Sequence, residues 1–206
     1  MKKTLVVATA LVALVAVPAA FADKPAPKPK PIAAEKTWVK VGGGKNYGTV
    51  VTLNSLGVTV TPLKPASTVS TGLRLPITQG KLILSKTGDV ITGVKGSVGH
   101  VGGVKLTNGD KSVAVRNVTV VANLVSGSPD ASKLTAQIAG KRVDLGTATL
   151  GTVTLASGKV TVSLTAISLS QDAATALNTA LGTTLTANTS LGTATLTARV
   201  VGKGKA

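Results

Sequence analysis

From Thr37 to Val201 the chain alternates apolar residues with threonine and serine, and this period of two constrains the fold more than any other feature. Successive side chains on a strand point to opposite faces, so the pattern describes strands with one face buried and one face wet. Tyr47 to Leu53, Val58 to Leu63, Leu73 to Leu84 and Val118 to Val125 carry it, built from Val, Thr, Leu and Ile. Turn chemistry separates the runs. Asn108-Gly109-Asp110 lies between Val104-Lys-Leu-Thr107 and Ser112-Val-Ala-Val115, and Asn-Gly accepts the positive φ of a tight hairpin. Similar turns are expected at Lys86 to Asp89, Ala139 to Lys141 and Ala156 to Lys159. The expectation is an all-β domain, an antiparallel β-sandwich or open barrel, rather than βαβ units.

One segment breaks the period. Ser170 to Gly182 is alanine-rich, with Leu177 and Leu181 four apart. Ser170 suits an N-cap, Asp172 suits the positive end of the helix dipole, and Gly182 suits a left-handed stop. The spacing predicts a short α-helix near the C-terminus, its leucines docked on the sheet. Two strands are expected after it, at about Thr184 to Ala187 and Ala194 to Val201. Leu-Gly-Thr recurs at 145, 150, 181 and 191, which reads as similar strand starts rather than a solenoid unit.

The start of the chain gives an address. Met1-Lys2-Lys3, an apolar run from Leu5 to Val17 and Ala20-Phe21-Ala22 have the order of a secretory signal peptide. The run is too short to span a bilayer as a stable helix, so no transmembrane anchor is expected in the mature chain. Residues 24 to 32 read Lys-Pro-Ala-Pro-Lys-Pro-Lys-Pro-Ile, a semi-rigid polyproline spacer. The organisation read from the sequence is 1–22 signal peptide, 23–36 basic Pro-rich tether, 37–201 β domain and 202–206 basic tail. The expected location is outside the cytoplasm, secreted or associated with the cell envelope.

The chain has no cysteine, so an exported domain of this size must hold together without disulfides. After cleavage only Trp38 and Tyr47 remain of its aromatic residues, which leaves an aliphatic core. The formal charge of the whole chain is +16, and loss of Lys2 and Lys3 leaves +14. Lys24, Lys28, Lys30, Lys36, Lys40 and Lys45 crowd the mature N-terminus, and Lys203 and Lys205 the other end. Such charge attracts an anionic surface polymer or lipid headgroups; its bland counterpart is a solvated basic arm. Nucleic acid is not the expected partner, because no helix-turn-helix or zinc pattern and no aromatic set for stacking bases is present.

No reaction is legible. His100 is the lone histidine and no Gly-x-Ser-x-Gly elbow accompanies it, which argues against a Ser-His-Asp triad. One histidine and no cysteine make a tetrahedral zinc cage improbable. Asp89, Asp110, Asp130 and Asp144 stand apart in sequence at expected turns and strand ends, where Asp serves as a turn former. Gly42-Gly-Gly-Lys45 lacks phosphate-loop spacing. Asn117-Val-Thr119 and Asn188-Thr-Ser190 match glycosylation sequons beside strands. Tyr47 and His100 remain as the sole phenol and imidazole of the mature chain. Their plain reading is a partly buried tyrosine and a surface histidine at a strand end.

Gly99-His100-Val-Gly-Gly-Val104, the strands after it, and the Ala-rich segment 170–182 followed by Gly-Thr resemble the Hta-type (HtaA-like) domain of actinobacterial exported proteins, over about residues 38 to 200. That family was first known from haem-uptake proteins of corynebacteria. The resemblance implies a non-enzymatic module with haem, or another small ligand, as cofactor. It implies Tyr47 as the iron ligand and His100, after the glycine of a Gly-His pair, as its support. Arg74 or Arg116 would pair with the propionates. The chain departs from the family where aromatics near the helix end are replaced by Leu177, Ala180 and Leu181, and where Trp-Gly becomes Trp38-Val39. The second functional class is a structural or adhesive envelope protein that associates with anionic polymers through its charge. N-terminal sequencing of the secreted protein should begin at Asp23; a product retaining Met1 would show that the leader is not removed.

Overall fold

Alternation of Val, Leu and Thr produces long antiparallel ladders. A computed structural model of the chain describes residues 35–44, 47–125 and 132–206. The expected signal peptide, and the tether up to residue 34, lie outside the described residues. The elements are β1 (Glu35–Gly42), β2 (Gly48–Leu53), β3 (Thr59–Leu63), β4 (Ser67–Val69), β5 (Gly72–Thr87), β6 (Val90–His100), β7 (Gly103–Asn108), β8 (Lys111–Val125), β9 (Ser132–Ile138), β10 (Lys141–Ala156), β11 (Lys159–Leu169), α1 (Gln171–Leu181) and β12 (Ser190–Lys205). The all-β fold with one short helix near the C-terminus is as the pattern predicts.

The ladders run in a ring. β5 pairs with β6, β6 with β8, and β8, β9, β10, β11 and β12 pair in succession. β12 then pairs with β1, and β1 returns to β5. An eight-membered ring encloses an interior that side chains alone can fill. Here Val39, Val41, Leu82, Leu84, Val94 and Val160 fill it, each at most 1% exposed. A ring also removes most free strand edges, which the molecule has no disulfide to protect. Two of its members are composite. β1 and β2 run in the same direction between β5 and β12, so they form one strand interrupted at residues 43–47. β6 and β7 form another along β8, interrupted at Val101–Gly102.

Two Leu-Gly-Thr repeats serve the ring as bulges: the one at 145 lies inside β10 rather than at a strand start, and the one at 191 opens β12 as expected. Gly146 has φ 148° and a Cβ there would lie 1.9 Å from the Ser168 carbonyl oxygen; Gly192 has φ 124° and would meet the Thr52 carbonyl at 2.0 Å. Only glycine lets the neighbouring backbone approach so closely at that φ.

The helix forms where its caps place it. Ser170 Oγ accepts from Ala173 N at 3.0 Å, and Gly182 sits in the left-handed region with its N–H on the Asn178 carbonyl. Ala173, Ala174, Leu177 and Leu181 are buried against the end of the ring, where α1 touches β7, β8, β9 and β10. Asn108 does not take the turn position expected of it. It pairs with Lys111, the turn is Gly109–Asp110, and the freed Asn108 amide donates to the Leu181 carbonyl at 3.1 Å.

Three expectations need correction. Thr184 to Ala187 is not a strand: Asn178 on the helix accepts from Leu185 N and donates to Leu185 O, which holds the segment as a loop. Residues 202 to 205 are not a tail. β12 continues through Lys205, with Lys205 opposite Thr37 and Gly202 opposite Lys40. Glu35 and Lys36, expected in the tether, likewise belong to β1. Leu177 is 2% exposed, so Leu177→Ala should cost ~2–5 kcal/mol of unfolding free energy in a urea titration; a loss under ~0.5 kcal/mol would show that the helix contributes little to the core.

Candidate functional site

Both strand interruptions fall beside the same stretch of β5. Pro76 stands opposite Gly48 in the β2–β5 register and has no N–H to donate; the β1–β5 ladder resumes only at Gln79. On the other side the Pro76 carbonyl accepts from Val101 N at 3.0 Å, inside the break between β6 and β7. Where the chain leaves β1, a Cβ on Gly43 would fall 1.8 Å from the Ile77 carbonyl oxygen, so the first part of the triple glycine is fixed by packing. The excursion closes with Tyr47 N donating to Gly44 O at 3.1 Å.

Tyr47 is half-buried, its ring edge against Gly44. Arg74 lies over the next residue: its Cγ would be 3.1 Å from a Cβ on Gly48. Arg116, the other cation expected at a pocket rim, is exposed on β8 opposite Gly103 and Gln137.

His100 is not a surface residue. It is 5% exposed, and both ring nitrogens are engaged. Nδ1 donates to the Val118 carbonyl at 2.9 Å, and Thr49 Oγ1 lies 2.6 Å from Nε2. A carbonyl can only accept, so Nδ1 carries a proton; the Thr49 hydroxyl can donate to a bare Nε2 or accept from a protonated one. Burial disfavours the charged imidazolium and so selects the neutral Nδ1–H form, with Thr49 as the donor. Burial pushes its pKa below the usual histidine value, and the Val118 bond opposes that only in part.

The structure thus brings His100 to Thr49, two residues after Tyr47, and not into a hydrogen bond with Tyr47 itself. Thr49 escaped the sequence reading because nothing separates it from the other strand threonines; its one signal is that it and His100 are buried polar residues needing partners. A hydroxyl, an imidazole and an orienting carbonyl in line also describe an activated nucleophile. Thr49 is 3% exposed and His100 5%, so both hydrogen bonds are enclosed in the fold, where they brace β2 to β6 and β8. Among the described residues no three His, Cys, Asp or Glu side chains gather as a metal site.

Inside the ring, below α1, lies a cavity of about 110 Å³, lined wholly by aliphatic side chains that include Val51, Leu75, Val118 and Leu177. It is well below the ~300–1,000 Å³ of typical cofactor pockets.

No protein-family model matches the chain, and no curated protein matches it. The architecture does match a solved structure, the C-terminal domain of HtaA from Corynebacterium glutamicum, with a TM-score of 0.51 and 15% identity over 82% of this chain and 99% of that one. The chain has the HtaA-domain fold. A domain-swapped dimeric variant of the same HtaA domain aligns at a TM-score of 0.47 and 17% identity, over 69% of this chain and 83% of that one. Among the described residues no helix is long and apolar enough to cross a membrane.

The lowered pKa of His100 makes the brace sensitive to acid. The folded domain binds this proton less readily than the unfolded chain, so the contribution is full above about pH 6.5 and is lost as pH falls through the lower folded-state value. Urea unfolding at pH 7.5 and pH 5 should show a loss that His100→Asn lacks; equal slopes for both proteins would contradict this. Thr49→Val, which leaves Nε2 buried without a donor, should cost ~1–3 kcal/mol at neutral pH.

Proposed function

We propose that this domain is an exported, non-catalytic ligand-binding module of the Hta type, with haem as the ligand at the Tyr47 loop. The observation that carries the reading is the placement of the sole phenol two residues from the Thr49–His100 brace, on an HtaA-domain fold. A phenolate is a hard anionic oxygen that suits ferric iron. The fit is to a surface-bound group. The interior cavity is too small for a macrocycle, whereas Tyr47 is partly accessible and Arg74 beside Gly48 offers a cation for a carboxylate. Haem, when bound, would supply the iron. The chain's own part is to offer Tyr47 and to hold its strand through Thr49 and His100. His100 therefore supports the ligand residue through packing rather than by touching the ligand.

A second reading is association with an anionic envelope polymer through the basic charge. It is favoured by Lys36 and Lys40 of β1 and Lys203 and Lys205 of β12, carried on two strands that pair in one ladder.

Hemin titration of the mature protein decides the first reading. A saturable Soret shift is expected in the wild type and none in Tyr47→Phe, which deletes the only tyrosine while keeping its bulk. Absence of a saturable shift in the wild type, or an identical shift in Tyr47→Phe, would end it.

A further inference from the structure

The outer face of the sheet carries a feature that the Tyr47 loop does not use. Trp38 and Lys40 on β1, Gln79 and Lys81 on β5, Ser97 on β6 and Thr119 on β8 line an open groove of about 590 Å³. Its floor stays low because of Gly99, where a Cβ would press to 3.3 Å from Thr78 Oγ1. The ladder registers set Lys40, Lys81, Ser97, Val121 and Lys133 in one row across five strands. Arg142 closes the far edge, its Nη2 donating to Thr119 Oγ1 at 2.7 Å and its Nη1 to the Asn117 carbonyl at 3.0 Å. No carboxylate lines the groove. Asp144, opposite Thr135 in the β9–β10 register, accepts through Oδ1 from Gly146 N two residues on.

Trp38 is the only tryptophan of the chain. Its indole edge lies across bare backbone of β12, since a Cβ on Gly204 would fall 2.7 Å from Nε1. Lys81 Nζ stands 5.6 Å from the ring centroid. Cations, an aromatic surface, and the amide of Gln79 and hydroxyl of Ser97, neither bonded to another described side chain, converge in one concavity.

We infer that this groove binds an acidic polysaccharide, the lysines taking its anionic groups, Gln79 and Ser97 its hydroxyls, and Trp38 the apolar face of a sugar ring. A bare polyanion would need the cations and not the indole or the amide. A single-stranded nucleic acid would need several stacking platforms, and the mature chain offers only Trp38 and Tyr47. The inference sharpens the second reading of function, moving the contact from the tether to the folded domain, and is independent of haem.

Because Trp38 is unique, its emission reports this groove alone. The mature protein is titrated with a short oligogalacturonate, with a neutral malto-oligosaccharide and with polyphosphate. The oligogalacturonate should change Trp38 emission saturably, and the other two should leave it unchanged. Lys40→Gln/Lys81→Gln should weaken binding at least ~tenfold, with a melting curve like the wild type. Lys105→Gln/Lys159→Gln removes the same charge from elsewhere on the domain and should bind as the wild type does. An unchanged emission with oligogalacturonate would overturn the inference. Equal weakening by both lysine pairs would overturn it as a net-charge effect. Binding that depends on deletion of residues 24–32 and not on Lys40 and Lys81 would return the contact to the tether, and equal binding of polyphosphate would show that no sugar is read.

Discussion

Closure of the strand ring is the constraint on which everything else in this molecule rests. With no cysteine and with an interior of Val, Leu, Ile and Ala, the domain cannot rely on a covalent staple or on a large aromatic anchor. Each ladder instead supports its neighbours, and the chain's ends complete the circuit where β1 lies between β5 and β12. Bulges bend several of its ladders, and beside Pro76 two of its strands are interrupted. There a residue without an N–H leaves the ladder one donor short. The Tyr47 excursion and the Gly-rich break after His100 flank it on the two sides of β5. The place where backbone pairing fails is the place where side-chain chemistry gathers, and the buried Thr49–His100–Val118 chain supplies there the polar connection that the ladder does not.

Some of this was written plainly in the sequence. The helix was legible to the residue because its caps are local: Ser170 and Gly182 act within one turn of themselves. The hairpins were legible for the same reason, although the Asn108 turn slid by one residue because the Asn108 amide had a distant customer in the Leu181 carbonyl. What depended on remote partners was not legible. Lys203 and Lys205 look like a solvated tail by charge, yet the period of two with Gly202 and Gly204 continues a strand whose partner is more than 150 residues away in β1. The Tyr47–His100 pair could be named from rarity alone. The residue that in fact meets His100, Thr49, is chemically ordinary, and only a fold could single it out.

The same division separates the two functional surfaces. The Tyr47 loop is read through a fold shared with an HtaA domain at 15% identity, a likeness that transfers architecture and leaves chemistry to be argued from side chains. The groove over Trp38 is read from side chains alone. The two occupy neighbouring parts of one composite strand: Trp38 and Lys40 precede the excursion in β1, and Tyr47 ends it. Strand alternation places Trp38 and Lys40 outward, while Val39 and Val41 between them seal the core.

His100 stands as a neutral, internally satisfied brace beside the Tyr47 loop. As the only histidine, it gives a single set of imidazole ¹⁵N resonances. Long-range ¹H–¹⁵N correlation at pH 7 should show a protonated Nδ1 and an unprotonated, hydrogen-bonded Nε2. An Nε2-protonated tautomer or an imidazolium at that pH would contradict the account.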